Sequence, residues 1–300
     1  MSEPGPFFSI VIPTYNRGEL LTQTLHSILV QGDVPIEIIV VDDGSTDNTE
    51  ALVNQINDHR IKYLKTKNIE RGAARNLGRQ HSNGLFVNYF DSDDVFYPCL
   101  SAIKDFITSN NYPSVVYGSI HEIAPNGTVI ENSSLPFSTF KENILFNNFL
   151  ACGSVFVKRE VADAFPFSGD RNLSGSEDWE LWLRIYTNHE FVRAPIAIFK
   201  QRQHPTRSLF TTDTKRVTIR ENLFASKIND NRQILRKRFA NSEINLLMAD
   251  RMTLIALVQL MNGRRFLSFQ YWLRSFILSP RVLIRRRFLA VAKKLMFQWR

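Results

Sequence analysis

Over roughly the first ninety residues, short β-branched runs alternate with stretches of helical periodicity, a pattern that few folds accommodate. The runs at residues 8 to 13 (FSIVIP) and 36 to 41 (IEIIVV) have the length and composition of strands buried on both faces of a parallel sheet. Between them, Leu20, Leu21, Leu25, Ile28 and Leu29 recur at helical spacing. The pattern then predicts a helix over 47–57, a strand over 61–64, a helix over 73–80 and a strand over 85–90 that delivers Asp91 to its end. A parallel neighbour is reached only by a crossover, and a helical crossover covers one face of the sheet. Repeated strand–helix units therefore predict a doubly wound, mostly parallel α/β sheet, with ligands outside the carboxyl ends of the strands.

Downstream, a helix is expected over 98–109 and a strand over 114–123, and Pro125-Asn126-Gly127 marks a hairpin turn. A strand over 153–158, a helix over 177–187 and a strand over 191–199 follow. The 177–187 helix begins with acidic residues, as a helix N-terminus favours, and sets Trp179, Leu183 and Tyr186 on one face with Trp182 beside it. At helical spacing such tryptophans are more often core than sugar-stacking platforms. From 214 onward the periodicity is wholly helical, with segments at 214–240, 243–262, 265–278 and 280–298. The expected organisation is an α/β domain over 1–212 and an α-helical, basic appendage over 213–300.

Charge separates the same two regions. Of 37 Lys and Arg, eleven lie in residues 251–300 with no Asp or Glu among them, which leaves 26 bases against 29 acids in residues 1–250. The net charge of +8 therefore belongs to the C-terminal segment. There, Ile284, Phe288, Val291, Leu295 and Trp299 form an apolar stripe beside Arg285, Arg286, Arg287, Lys293 and Lys294. A basic amphipathic helix of this kind over 280–300 fits peripheral contact with an anionic membrane, and equally a helix packed on the rest of the chain with its basic face solvated. No nucleic-acid-binding motif accompanies these bases, so no nucleic-acid partner is expected. Cys99 and Cys152 are too few for a disulfide framework and lack zinc-ligand spacing. Residues 1–8 lack the features of a secretion signal, and no uninterrupted apolar run approaches the ~18 residues of a membrane span. The expectation is a cytoplasmic protein, with access to the inner face of the cell membrane.

Three acidic clusters sit at the edges of apolar segments: Asp42-Asp43-Gly44, Asp91-Ser92-Asp93-Asp94 and Ser176-Glu177-Asp178-Trp179. Carboxylates placed where buried strands surface handle cations, protons or the hydroxyls of a sugar or ribose. Packed acids after an apolar strand repel one another unless a cation joins them. Neither GxGxxG nor GxxxxGK[ST] occurs, which disfavours a dinucleotide-binding Rossmann enzyme and a P-loop NTPase.

Five motifs follow one another in order: Ser9-Ile-Val-Ile-Pro-Thr-Tyr-Asn16-Arg17, Val-Val-Asp-Asp-Gly-Ser-Thr-Asp47, Arg71-Gly-Ala-Ala-Arg75-Asn76, Phe-Asp-Ser-Asp-Asp94 and Glu177-Asp178. Together they resemble glycosyltransferase family 2, over roughly residues 7 to 210. The resemblance implies a GT-A-like fold and an inverting glycosyltransferase that moves a sugar from a nucleotide-diphosphate sugar, expected to be a UDP-sugar, to a hydroxyl of a glycan or lipid-linked saccharide. It implies a nucleotide pocket of Thr14, Tyr15, Asp43, Arg75 and Asp93, with Asp43 accepting from the base and Thr14 and Tyr15 forming its wall. It implies Mn²⁺ or Mg²⁺ held among Asp91, Asp93 and Asp94, one of Asp93 and Asp94 being on the metal and the other, or Asp91, on the ribose, with Asp94 preferred for the metal, Asp93 for the ribose, and His204 as a further metal or phosphate contact. Asp178 would be the general base and Glu177 an acceptor-side or supporting group. Each residue also has a plainer reading: a turn for 42–45, surface arginines for Arg71 and Arg75, a loop histidine for His204 and helix N-terminal acids for 177–178. A haloacid-dehalogenase-type phosphatase shares Asp91-Ser-Asp93 but leaves the two preceding strands unexplained, and a non-catalytic membrane-associated partner protein would have no use for intact acids.

Overall fold

The structure is a computed structural model that describes residues 5–123, 128–131, 139–202 and 213–297. It divides into two compact units. The first is Met1–Ile144, Asn148–Arg171 and His189–Arg207; the second is Leu145–Asn147, Asn172–Asn188 and Ser208–Arg300.

The first unit opens with β1 (Phe8–Thr14), α1 (Gly18–Leu29), β2 (Ile36–Asp42), α2 (Thr49–Ile56), β3 (Ile61–Lys65), α3 (Arg71–Gln80) and β4 (Phe86–Tyr89). It continues with β5 (Val95–Phe96), α4 (Leu100–Ser109), β6 (Val115–Ile123) and β7 (Val129–Glu131). Helix α5 (Phe140–Phe146) precedes β8 (Val155–Lys158) and α6 (Arg159–Ala164); after α7 (Glu177–Tyr186) the chain returns as β9 (Phe191–Gln201). The strands form one sheet in the order β3-β2-β1-β4-β8-β6-β9-β5, with β7 paired to β6. Strands β1 to β4, β6 and β9 run one way and β5, β7 and β8 the other, so the sheet is mostly parallel.

Strict alternation along β1 and β2 explains the double winding. Ile10, Ile12, Ile38 and Val40 face one side, where they bury against Leu21, Leu25 and Ile28 of α1 and Leu100 and Ile103 of α4. The opposite face receives α3 at close range: a Cβ on Gly78 would lie 2.3 Å from Val11 Cγ1 and 3.1 Å from Val41 Cγ2. With both faces covered, the residues of these strands are apolar or hydrogen-bonded through their side chains, apart from the Thr14 hydroxyl at the carboxyl end of β1.

The expected strands and helices are present with shifts of a few residues at their ends. In the first unit two features differ. Strand β5 is two residues long and exists through pairing with β9, below the length at which periodicity shows. Helices α5 and α6 are too short to carry a clear pattern. The turn at 125–127 lies outside the described residues, although β7 pairs antiparallel with β6 as a hairpin would.

In the second unit, α7 is followed by α8 (Thr214–Asp230), α9 (Arg232–Leu235), α10 (Asn241–Met261), α11 (Arg265–Leu278) and α12 (Arg286–Phe297). The single helix expected over 214–240 is interrupted at Asn231, whose side chain turns back to the Lys227 carbonyl at 2.9 Å and to Glu180 Oε1 at 3.3 Å. The 280–298 segment begins as a 3₁₀ turn, Pro280–Ile284, and becomes α-helical only after Arg285. Helix α10 is long and apolar enough to cross a membrane by length and composition, but 61% of the qualifying stretch is buried inside the fold, as in a core helix. Trp179 stacks on Phe224 at 4.6 Å with the Arg251 guanidinium 4.8 Å from its ring, and Trp182 is fully buried. Both tryptophans are core residues.

Candidate active site

The strand order places β1 between β2 and β4, so the chain leaves β1 towards one side and β4 lies on the other. That is the switch point where a crevice opens at the carboxyl edge of a parallel sheet. Three loops meet at this edge, following β1, β2 and β4, and they carry Thr14 to Arg17, Asp42 to Asp47 and Asp91 to Asp94.

The first two loops are laced together. The Asp43 amide donates to the Thr14 carbonyl at 2.8 Å, the Asn16 amide to Ser45 Oγ at 2.8 Å, and the Thr46 amide to Asn16 Oδ1 at 2.8 Å. Asn16 takes a left-handed backbone (φ 50°), which asparagine tolerates better than most residues. Tyr15 is left exposed, and the Thr14 hydroxyl is buried with no hydrogen bond among the described residues.

Asp42 and Asp43 are adjacent yet differently employed. Asp42 is fully buried; one oxygen accepts from the Ser45 amide at 2.7 Å and the other from the Tyr63 hydroxyl. Burial, and then this bond to a carboxylate, pushes the Tyr63 phenol above its ordinary value. Asp43 turns to the 66–70 loop, accepting from Thr66 Oγ1 at 2.9 Å, the Ile69 amide at 2.6 Å and the Glu70 amide at 2.9 Å. A carboxylate offers about four acceptor directions, and three of those of Asp43 are used by these bonds. Asp47 sits between two helix starts, accepting from the Thr49 amide at 3.1 Å and the Gly18 amide at 3.5 Å. Burial raises its carboxyl, but the Thr49 hydroxyl and these amides outweigh it and leave it below the usual value.

The acids after β4 form a compact group: one oxygen from each of Asp91, Asp93 and Asp94 can be chosen so that all lie within 4.8 Å of one another. Each has a positive or donor neighbour. Arg75, buried on α3 with its guanidinium 5.2 Å from the Phe167 ring, donates to Asp91 Oδ1 at 2.9 Å. Arg17 bridges the β1 and β4 loops to reach Asp93 Oδ2 at 2.6 Å. The Arg202 amide donates to Asp94 Oδ1 at 3.0 Å. Asp93 and Asp94 are buried and Asp91 is half-exposed. Three converging hard oxygen ligands fit Mg²⁺ or Mn²⁺ and not a soft-ligand metal.

Thr14, Tyr15, Asp43, Arg75, Asp91, Asp93 and Asp94 thus belong to one edge of one unit. Arg17 was given no role by sequence reasoning, although it stands inside the first motif; the signal was its position directly after β1, opposite the β4 acids. His204 lies outside the described residues. Glu177 and Asp178 belong to the second unit, in the first turn of α7. Glu177 is buried and accepts from the Gly175 amide at 2.5 Å, where Gly175 adopts φ 94°; Asp178 is half-buried and accepts from the Trp179 amide at 2.8 Å.

A curled, mostly parallel sheet with acids at its carboxyl edge and helices following it is the GT-A-like architecture. Residues 9–164 match the model of glycosyl transferase family 2, and the chain belongs to that family. It is 31% identical over 179 residues, 59% of this chain and 68% of the relative, to the Escherichia coli UDP-Glc:alpha-D-GlcNAc-diphosphoundecaprenol beta-1,3-glucosyltransferase WfgD. An uncharacterized glycosyltransferase of Rickettsia conorii is 30% identical over 80% of this chain, but the match spans only 40% of that relative's length. Among solved structures, S. aureus TarS 1-349 in complex with UDP-GlcNAc superimposes with a TM-score of 0.67 at 18% identity, covering 96% of this chain and 88% of that one.

Proposed function

We propose that this chain transfers a sugar from a nucleotide-diphosphate donor, a UDP-sugar, to a hydroxyl of a lipid-linked saccharide, inverting the anomeric centre. The observation that carries the reading is the Asp91, Asp93 and Asp94 group at the switch point, braced by Arg17 and Arg75. The UDP-glucose donor and diphosphoundecaprenol-linked acceptor in the name of the E. coli relative support the choice of substrates.

In this reading Asp94, with Asp93 and Asp91 beside it, would hold Mg²⁺ or Mn²⁺, with His204 as a further contact. Such an ion, when bound, offsets the charge of the diphosphate as a Lewis acid. Tyr15 and Thr14 wall the base, the remaining acceptor direction of Asp43 takes a ring N–H, Arg75 positions Asp91, and Asp93 accepts from the ribose. Asp178 takes the proton of the acceptor hydroxyl as its oxygen bonds to the anomeric carbon and the bond to the diphosphate breaks. Glu177 anchors the turn from which Asp178 projects. The catalytic region is assigned to 1–212 and the helical, basic region to 213–300. The 280–300 segment is assigned to anionic lipid, which would hold a cytoplasmic enzyme at the inner membrane face beside its acceptor.

Thermal-shift titration of UDP, GDP, CDP and dTDP, each with Mn²⁺ and with EDTA, tests this reading, since a ligand that binds only the folded chain raises the melting temperature. Stabilisation by UDP that is lost with EDTA or in Asp94→Ala is expected. A well-folded sample that responds to no nucleotide would overturn it. The anomeric configuration of the product, read by NMR, tests inversion.

A further inference from the structure

Helix α11 packs with its polarity reversed. Its two fully buried positions are small and polar: Ser268 and Ser275 have no exposed surface, and Ser268 Oγ donates to the Ala256 carbonyl of α10 at 2.7 Å, while Trp272 packs beside them. Its outward positions are Phe266, Phe269, Leu273, Phe276 and Ile277, all exposed, with Phe266 and Ile277 at 75% and 71%. At 100° per residue these five fall within an arc of about 100°, with Arg265 about 20° outside one margin and Arg274 about 60° outside the other. Exposed Leu283, Ile284, Leu289 and Met296 add apolar surface on the segments that follow.

The stripe over 284–299, for which the sequence left lipid contact and packing on the chain equally open, is partly packed; Ile284 is exposed and Trp299 lies outside the described residues. Phe288 and Val291 of α12 are buried, and Phe288 stacks on Trp272 of α11 at 4.8 Å. Arg287 is drawn to Asp250 of α10 at 2.9 Å. Helix α12 therefore fastens Phe288 and Val291 to the unit, and among the described residues α11 carries five exposed large apolar side chains on one face.

An apolar face of this extent on a water-soluble surface marks an interaction site. A second copy of this chain is a poor occupant, because residues 251–300 hold eleven bases and no acid, and two such surfaces would oppose like charges. Arg264, Arg274, Arg286, Lys293 and Lys294 are exposed and make no ion pair among the described residues. Bulky apolar side chains flanked by exposed bases fit a surface that offers hydrocarbon beneath a layer of anions.

We propose that α11 is an interfacial helix that lies in the plane of an anionic lipid surface, with Phe266, Phe269, Leu273, Phe276 and Ile277 inserted between headgroups and the surrounding bases on the phosphates. The proposal rests on the membrane contact assigned above to 280–300, moves its inserting face to α11, and is independent of the transfer reaction.

Co-sedimentation with phosphatidylglycerol–phosphatidylethanolamine vesicles tests it. Phe266→Ser/Ile277→Ser should lower the partition coefficient on the order of tenfold or more. The same variant should keep its UDP thermal shift, so that failure here is distinct from failure of the nucleotide reading. Weak binding to pure phosphatidylcholine vesicles is expected. Equal sedimentation of parent and variant would overturn the proposal, as would no binding of the parent, or a dimer on gel filtration that the variant abolishes. As an independent readout, Phe266→Cys carries an environment-sensitive fluorophore selectively, because Cys99 and Cys152 are buried. Its emission should brighten and shift to the blue on vesicle addition, and an unchanged spectrum would refute insertion.

Discussion

Asp43→Ala separates what this carboxylate does for the fold from what it does for a ligand. Its oxygens accept from Thr66 Oγ1, the Ile69 amide and the Glu70 amide, and so hold the whole 66–70 loop. Glu70 needs that hold: it is buried and adopts φ 84°, a conformation that costs a non-glycine residue about 1–3 kcal/mol. It also caps α3, its Oε2 accepting from the Gly72 amide at 2.9 Å. Hydrogen bonds to a charged acceptor contribute about 1.5–3 kcal/mol each, and a shielded donor left unpaired costs about 1–3 kcal/mol. The Ile69 side of the loop is exposed, so water recovers part of that loss. Allowing for it, Asp43→Ala should destabilise the first unit by about 3–5 kcal/mol, or roughly 6–20 °C in melting temperature. Asp43→Asn retains a carbonyl oxygen and should cost about half as much. Calorimetry of both variants reads the fold, and UDP titration below the melting range reads the ligand. If the remaining acceptor direction meets a ring N–H, Asp43→Asn weakens UDP by about 5- to 30-fold, the loss of one charge-assisted bond. Melting of Asp43→Ala within about 2 °C of the parent would refute the claim that this carboxylate organises the loop.

Gly78→Ala drives a methyl group into Val11 Cγ1 and should destabilise by about 1–2 kcal/mol despite the better helix propensity of alanine; denaturant titration in a Val11→Ala background should show the cost largely relieved. Burial pushes the Cys99 thiol up to about 12, so at pH 8 roughly one part in ten thousand is thiolate and a disulfide reagent should modify it only after denaturation; fast labelling of the native protein would contradict the packing around it. The bonds from Arg60 hold the Asp58 carboxyl down at about 2, against an ordinary 3.8. A depressed folded value means that the pair stabilises the fold above about pH 4 and loses this contribution as pH falls through about 2. Asp58→Asn should therefore flatten the stability curve over that window, and equal slopes would count against the pair.

The elements legible in the sequence are those whose burial is complete. Strands β1 and β2 are hidden on both faces, so nearly every position had to be apolar, and α1 between them had to carry Leu21, Leu25 and Ile28 on one side. The break at Asn231 and strand β5 were not legible, because each depends on a distant partner, Glu180 in one case and β9 in the other. The acids were visible as clusters, but their division of labour was not. Asp42 and Asp43 are neighbours in sequence, yet one reaches Tyr63 and the other the Ile69 and Glu70 amides, because side chains alternate across a strand end.

Helix α11 shows why periodicity alone cannot say which side of a helix faces inward. Its Phe266, Phe269, Leu273 and Phe276 repeat at the spacing of a core-facing stripe, and the usual inference is that such a stripe is buried. The inference fails because close approach to α10 admits only small residues at Ser268 and Ser275, with the hydroxyl of Ser268 satisfied by a helix carbonyl. A serine face lets two helices come together, and the phenylalanines at 266, 269 and 276 are then left on the far side, with Trp272 between the two against Phe288. The same logic operates at Gly78, where α3 meets β1 through a residue without a side chain. In both places the smallest residues mark the contact, and the surface opposite is free to take on another task; on α11 that surface is aromatic, and in residues 251–300 no acid opposes its bases.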